Sequence, residues 1–242
     1  MLVLVVSDIH GNLAALDAVL ADAGSFDCIW SLGDVVGYGP CPNECIARLH
    51  DHDHLAVPGN HDYGVLGRLD LADFNPEARA ANLWSREQLT PESRAYLEEL
   101  GETLVIEDVT LAHGSPRYPI WEYLFYPFEA TASFAHFETG LCLVGHTHVP
   151  RRFLRGDPTY PCQVVPMPEE KAVALDEERC IINPGSVGQP RDRDPRAAYM
   201  LYNTDERVFI HRRVVYDVAA TQALMRENGL PPRQALRLAA GW

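Results

Sequence analysis

The chain has 242 residues, 47% of them hydrophobic, and its 34 acidic against 20 basic side chains give a formal net charge of −14. That balance suits a folded globular protein and excludes bulk attraction to nucleic acid or to an anionic membrane surface. It leaves an anionic substrate open, because bound divalent cations would be the largest local charges in such a site.

The first apolar run, "LVLVVSD" (2–8), reads as a strand that ends in the polar turn "SDIHGN" (7–12). It is too short, and lacks the basic flank, for a secretory signal, and no stretch approaches the ~20 apolar residues that span a bilayer. The expectation is a cytoplasmic protein with no membrane partner. "NLAALDAVLADAG" (12–24) predicts a helix with Leu13, Leu16, Val19 and Leu20 on one stripe, Asn12 as its cap and Gly24 as its stop. "CIWSLGD" (28–34) is the second strand, "PNECIARLH" (42–50) the second helix and "HLAVPGN" (54–60) the third strand.

Residues 76–99 predict two helical pieces. The first opens at Pro76; the second has Thr90 as cap with Pro91 behind it. The runs "TLAHGS" (110–115), "LCLVGHT" (141–147) and "CIINPGS" (180–186) read as further buried strands, and 155–179 as a loop or short irregular strands. "AAYMLYNTDERVFIHRRVVYD" (197–217) alternates about "NTDE" as a β-hairpin, and one or two amphipathic helices broken at "LPP" follow from Val218. These patterns alone give an α/β protein with one sheet covered on both faces. The expected organisation is a single domain, 1–242, with 63–100 as a helical lid or insert and 218–242 as a helical tail.

Six cysteines lie without a CxxC pair, which argues against a disulfide framework. Cys28 and Cys142 read as small buried side chains, whereas Cys41 and Cys45 make only a weak zinc argument. The run "LHDHDHL" (49–55) alternates His50, His52 and His54 but has no partner cluster, so it reads as a solvated connection. His136 and His211 read as structural or exposed, and Trp84 and Tyr96 as core.

Five polar clusters fall at the carboxyl ends of predicted strands: Asp8-x-His10, Gly33-Asp34, Gly59-Asn60-His61-Asp62, His113-Gly114 and Gly145-His146-Thr147-His148. In open α/β sheets that edge binds ligands. Any one cluster is explained by turn chemistry; five together are not. Outside the His61-Asp62 pair they offer two carboxylates, four imidazoles and one amide oxygen. Those seven donors exceed the roughly four of a single zinc site and suit two ions sharing a carboxylate.

The ordered motifs "DIH", "GD", "GNHD", "H" and "GHTH" resemble the calcineurin-like metallophosphoesterase superfamily. "NPGSVGQPRDRDPRAAY" (183–199) is similar to its small bacterial and archaeal phosphodiesterase-like branch. The resemblance implies an α/β sandwich of two mixed β-sheets flanked by helices. It further implies two divalent metal ions, manganese first with zinc or iron as alternatives. Asp8, His10 and His148 would hold one ion and Asn60, His113 and His146 the other, with Asp34 bridging. His61 would contact phosphate and assist the leaving oxygen, Asp62 would orient and polarise His61, and a metal-bound hydroxide would attack.

The implied activity is hydrolysis of a phosphomonoester or phosphodiester, with a small phosphate ester as partner and room for a homodimer. A non-catalytic binding scaffold built on the same site is the alternative; a nuclease is disfavoured by the acidic balance. Serine/threonine protein phosphatases carry a further Asp and an Arg shortly after the Gly-Asp pair. Here Gly37 and Tyr38 stand in those places, which disfavours that substrate class. Arg117 and Arg191 are candidate replacement cations, and Asn12 and Ser186 candidate substrate contacts, although Asn12 also fits a helix cap and Ser186 a tight turn.

Overall fold

The computed structural model describes residues 1–157, 159–175 and 179–242; position 158 and positions 176–178, inside the stretch expected as loop or irregular strands, lie outside the described residues. In chain order the elements are β1 (Leu2–Val6), α1 (Leu13–Ala23), β2 (Cys28–Ser31), α2 (Pro42–His50), β3 (His54–Ala56), α3 (Asn60–Leu66), α4 (Pro76–Gln88) and α5 (Pro91–Glu99). There follow β4 (Thr103–Ile106), β5 (Val109–Ala112), α6 (Pro127–Ser133), β6 (Leu141–Leu143), β7 (Arg151–Leu154), β8 (Gln163–Val165) and β9 (Ala172–Ala174). The chain ends with β10 (Cys180–Asn183), β11 (Ala197–Asn203), β12 (Val208–Val214), α7 (Val218–Glu227) and α8 (Pro232–Ala240).

Two six-stranded sheets form, in the orders β3-β2-β1-β11-β12-β9 and β4-β5-β6-β10-β7-β8. Both are mixed. β1, β2 and β3 run parallel, with β11 antiparallel to β1; β5, β6 and β10 run parallel, with β4 and β7 antiparallel at their flanks. The architecture is therefore the sandwich implied by the resemblance, and the single covered sheet read from the patterns alone is corrected. The cause is visible in β1. Val3 and Val5 point into a core shared with Leu111, Leu141, Leu143 and Ile182 of the other sheet, while Leu4 and Val6 pack with Leu16 and Val19 of α1. A strand buried on both sides reads the same whether its cover is a helix or a second sheet.

The helix signals match local geometry. Asn12 Oδ1 accepts from the Ala15 amide at 3.3 Å, Asn75 caps α4 through the Ala78 amide at 2.9 Å, and Thr90 caps α5 through the Ser93 amide at 3.1 Å. Such a cap is worth about 1 kcal/mol. Four elements go beyond the sequence reading: α3, β4, α6 and β7. Each is short, and α3 ("NHDYGVL") begins inside a polar motif and contains Gly64, so neither period nor propensity announces it.

α7 and α8 close over α4 through Phe74, Ala78, Ala81, Met225, Leu230, Ala235 and Leu238. This layer also buries Tyr38, which brings the tail to the edge of the polar loops. Among the described residues no helix is long and apolar enough to cross a membrane. All six cysteines are free; Cys142 is buried as expected but Cys28 is only half-buried. The His50 and His54 rings, 5.1 Å apart between centroids, sit beside Tyr96 and, among the described residues, belong to no metal-competent group. Trp84 and Tyr96 pack against core clusters, His136 is exposed, and buried His211 donates from Nε2 to the Pro184 carbonyl at 3.0 Å.

Candidate metal centre

Both sheets aim the carboxyl ends of their parallel strands at one edge. Asp8 follows β1, Asp34 follows β2, Asn60 follows β3, His113 follows β5 and His146 follows β6. Backbone bonds stitch these turns together: Asp8 N–H to Gly33 O at 3.0 Å, His10 N–H to Asp34 O at 2.8 Å and Gly145 N–H to His113 O at 2.7 Å. Five of the seven candidate ligands adopt left-handed backbone: Asp8 (φ 52°), His10 (50°), Asp34 (53°), His146 (65°) and His148 (58°). Non-glycine residues held there cost about 1–3 kcal/mol each and concentrate at functional sites. Gly59 allows a close approach to a candidate ligand: a Cβ on it would stand 2.0 Å from Asp34 Oδ1.

Two groups result, Asp8–His10–Asp34–His148 and Asp34–His113–His146, each with ligand-type atoms within 4.8 Å of one another. Asp34 belongs to both. Its Oδ1 accepts the His61 amide at 2.8 Å, while Oδ2 lies 3.6 Å from His10 Nε2 and 3.4 Å from His113 Nε2. That Oδ2 is buried without a hydrogen-bond partner among the described residues. Asn60 Oδ1 stands 3.2 Å from His113 Nε2, adding the seventh expected donor to the second group. Asp8 Oδ1 is 3.2 Å from His148 Nε2, and its Oδ2 accepts from Ser7 Oγ at 2.7 Å.

The hydrogen bonds on the far side of each imidazole decide what the near side offers. His10 Nδ1 donates to Val36 O at 3.1 Å, His113 Nδ1 to Leu32 O at 2.8 Å, His148 Nδ1 to Gln189 O at 2.6 Å, and His146 Nε2 to Trp121 O at 3.2 Å. A carbonyl only accepts, so each ring spends its N–H outward and turns a lone pair inward. The inward nitrogens of His10 and His148 then face each other at 3.2 Å, and those of His113 and His146 at 3.1 Å. Facing lone pairs beside a carboxylate oxygen call for positive charge between them, a proton on His113 at the least. Divalent cations would supply it, and the donor types present fit them.

The electrostatics agree. Burial holds His10, His146 and His148 well below the ordinary imidazole range. Burial also disfavours charge on His113, but Asp34 outweighs it and lifts His113 to about 9. Burial would raise Asp34, yet His113 and His61 hold it well below the carboxylate range, whereas burial pushes Asp8 up to about 7 against the His113 charge. Without a cation, one proton on His113 balances Asp34.

His61, the residue expected to face the phosphate, is buried with its ring 4.9 Å from that of His10 and 4.4 Å from that of Tyr38. Its expected partner is corrected. The Asp62 carboxylate accepts backbone amides of Gly59 at 2.8 Å and Val36 at 3.1 Å, tying α3 to the Asp34 loop. Adjacent residues on a helix point about 100° apart, so Asp62 does not meet the His61 ring. Asn82 of α4 does, with Nδ2 at 3.0 Å from His61 Nδ1. The sequence signal for Asn82 was available: it lies on the buried stripe of α4 with Ala78, Ala81 and Ser85.

The four candidate substrate contacts separate. Asn12 is spent on its cap, on Gly188 O at 2.9 Å and on Thr221 Oγ1 at 3.1 Å. Ser186 Oγ donates to Asp8 O at 2.9 Å and accepts the Gln189 amide at 2.8 Å, so it braces the β1 turn. The Arg117 guanidinium is paired with Glu122. Arg191 alone acts on the centre: it reaches Gln189 Oε1 at 2.9 Å, lies over the Tyr38 ring, and its charge opposes protonation of His61, His146 and His148. No motif marks Tyr123 in the sequence, yet its ring stacks on His146 with centroids 3.7 Å apart.

The calcineurin-like phosphoesterase superfamily domain matches residues 1–207. An uncharacterised protein of Methanocaldococcus jannaschii is 38% identical over 250 residues, covering 99% of this chain and 98% of its own. A metallophosphoesterase from Sphaerobacter thermophilus superposes with a TM-score of 0.92 at 46% identity, over 100% of this chain and 99% of that one. A hypothetical protein of Pyrococcus horikoshii shares the fold at a TM-score of 0.78 and 22% identity, over 100% and 98% of the two chains. With two mixed sheets, two Asp/His groups at their common edge and a match spanning most of its length, the chain belongs to the calcineurin-like phosphoesterase superfamily.

Proposed function

We propose that the protein is a dinuclear metal-dependent phosphoesterase acting on a small phosphomonoester or phosphodiester. One observation carries the reading: four imidazoles donate outward to main-chain carbonyls and turn their lone pairs toward an unpartnered, shared carboxylate oxygen. Asp8, His10, Asp34 and His148 would hold one ion, and Asp34, Asn60, His113 and His146 the other. The imidazole, carboxylate and amide donors suit manganese, with zinc or iron as alternatives. When bound, such ions neutralise phosphoryl charge and activate water at neutral pH.

The chain's own groups supply the rest. Among the described residues His61 Nε2 has no hydrogen-bond partner, and it is free to donate to a phosphoryl or leaving oxygen. Arg191 adds a cation at the same rim, in place of the arginine absent after Gly33-Asp34. The proposed route uses no side-chain nucleophile, and the Ser7 hydroxyl beside the first group is engaged with Asp8 Oδ2 at 2.7 Å.

The test is metal-stripped protein reconstituted separately with manganese, zinc, iron(II) and magnesium. Each sample is assayed on p-nitrophenyl phosphate and bis(p-nitrophenyl) phosphate. Metal-dependent hydrolysis that Asp34→Asn abolishes is the expected result, and the rate ratio assigns monoester or diester chemistry. Two bound ions with no turnover of either compound would turn the reading toward a binding scaffold.

A further inference from the structure

We infer that Asn82 is a positioning residue that fixes which nitrogen of His61 carries the proton and aims that N–H at the substrate. The inference rests on the proposed role of His61 at the phosphoryl group. Asn82 Nδ2 lies 3.0 Å from two atoms, the Ala78 carbonyl oxygen and His61 Nδ1. A carbonyl oxygen cannot donate, so the Asn82 atom between them is the amide nitrogen, and the second of its two protons goes to His61. His61 Nδ1 is therefore an acceptor. The ring's proton resides on Nε2, the nitrogen without a protein partner.

The placement is enforced from both sides. Asn82 is fully buried on α4, and a Cβ at Gly37 would stand 2.5 Å from His61 Nδ1, so the loop after Asp34 leaves room for this ring and nothing larger. Tyr38 and Phe74 meet the ring at centroid distances of 4.4 Å and 5.3 Å. A proton on Nδ1 would oppose two N–H groups at 3.0 Å in a buried space, which the amide cannot relieve by flipping without opposing its oxygen to that of Ala78. Asn82 thus gives His61 the opposite polarity to the four other imidazoles of the centre. They offer lone pairs; it offers a hydrogen.

Two measurements test this on the zinc-loaded, diamagnetic protein. In a long-range 1H–15N spectrum of the imidazoles, wild-type His61 is expected to show a protonated Nε2 and an unprotonated Nδ1. The Asn82→Asp variant, whose carboxylate only accepts, is expected to move the proton to Nδ1. A wild-type His61 with the proton on Nδ1 overturns the inference, and this result needs neither turnover nor a stable variant.

The second measurement is a double-mutant cycle on an alkyl phosphate ester with a poor leaving group. Asn82→Leu is expected to lower kcat by about 10- to 100-fold with KM little changed, the scale of a misaimed catalytic group. In the His61→Ala background the same change is expected to have no further effect. Equal losses in both backgrounds would make Asn82 merely structural. If His61→Ala itself leaves turnover unchanged while the Nε2 proton is observed, the functional role of His61 falls and that of Asn82 falls with it, although the proton assignment stands.

Discussion

Replacing Asp34 by Asn separates a metal bridge from an ordinary polar turn. The change keeps the shape but gives the residue one acceptor and one donor. Oδ1 must still accept the His61 amide at 2.8 Å, so the side-chain NH2 falls at the Oδ2 position, 3.6 Å from His10 Nε2 and 3.4 Å from His113 Nε2. There it points two hydrogens at the space shared by the two groups. Removing one partner of a buried, charge-compensated arrangement costs about 3–5 kcal/mol. The metal-loaded state is therefore expected to weaken by roughly two to four orders of magnitude in affinity. The metal-free state should gain, because the new NH2 meets two lone pairs and His113 no longer needs a proton. Melting curves with chelator should show Asp34→Asn no less stable than wild type, and curves with manganese should show it without the wild-type upward shift. Metal content after dialysis supplies the count. Retention of two ions at wild-type affinity would refute the bridge, and equal destabilisation with and without metal would return Asp34 to the role of a turn residue.

Metal uptake should release protons, because His113 sits at about 9 and Asp8 at about 7 in the cation-free centre. Affinity is expected to rise about tenfold per pH unit between 7 and 9 and more steeply below 7, where Asp8 also gives up a proton; calorimetry in buffers of different ionisation enthalpy reads the number, and pH-independent affinity from 6 to 8 would contradict it. Gly59→Ala should abolish binding of at least one ion, since its Cβ would stand 2.0 Å from Asp34 Oδ1; a full complement of metal would show that the carboxylate has room to move. Burial lowers His211 from 6.5 to about 4, so its neutral form stabilises the fold above pH 6.5 and that contribution, about 3 kcal/mol, disappears as pH falls toward 4. His211→Gln keeps a donor for Pro184 and should flatten urea stability across that window; an unchanged acid profile would exclude His211 as a source of acid sensitivity.

The donor atoms of the centre were readable because their chemistry is local. His10, Asp34, Asn60, His113 and His146 each sit next to a Gly, Asp8 follows the apolar run of β1, and His148 lies two residues past His146; such turns have few alternative uses for an imidazole. What held them was not readable. The carbonyls that orient the rings belong to Leu32, Val36, Trp121 and Gln189, and a main-chain oxygen has no residue-type signature. Asp62 illustrates the opposite error. The resemblance implied Asp62 as the partner of His61, but helical geometry turns neighbours apart and gives the contact to a residue 21 positions away. The second sheet was hidden for a related reason: Val3 and Val5 look the same facing Leu143 as they would facing a helix.

Backbone strain ties these features together. Asp8, His10, Asp34, His146 and His148 all hold positive φ, and the loops that hold them are pinned by the β-strands behind and by one another's amides. A chain selected only for stability would place glycine or asparagine at such positions, where the left-handed region is cheap. Instead it places acceptors whose lone pairs converge around Asp34 Oδ2 and offers them, among the described residues, only a proton on His113 as internal relief. The strain and the converging acceptors therefore belong to one design, the one expected of the cation-holding edge proposed above. His61 shows that the arrangement is selective. It shares the burial and the neighbourhood of the other four imidazoles, but its outer partner is an amide donor rather than a carbonyl. That single exchange turns an imidazole that would bind a cation into one that presents a hydrogen to an oxygen.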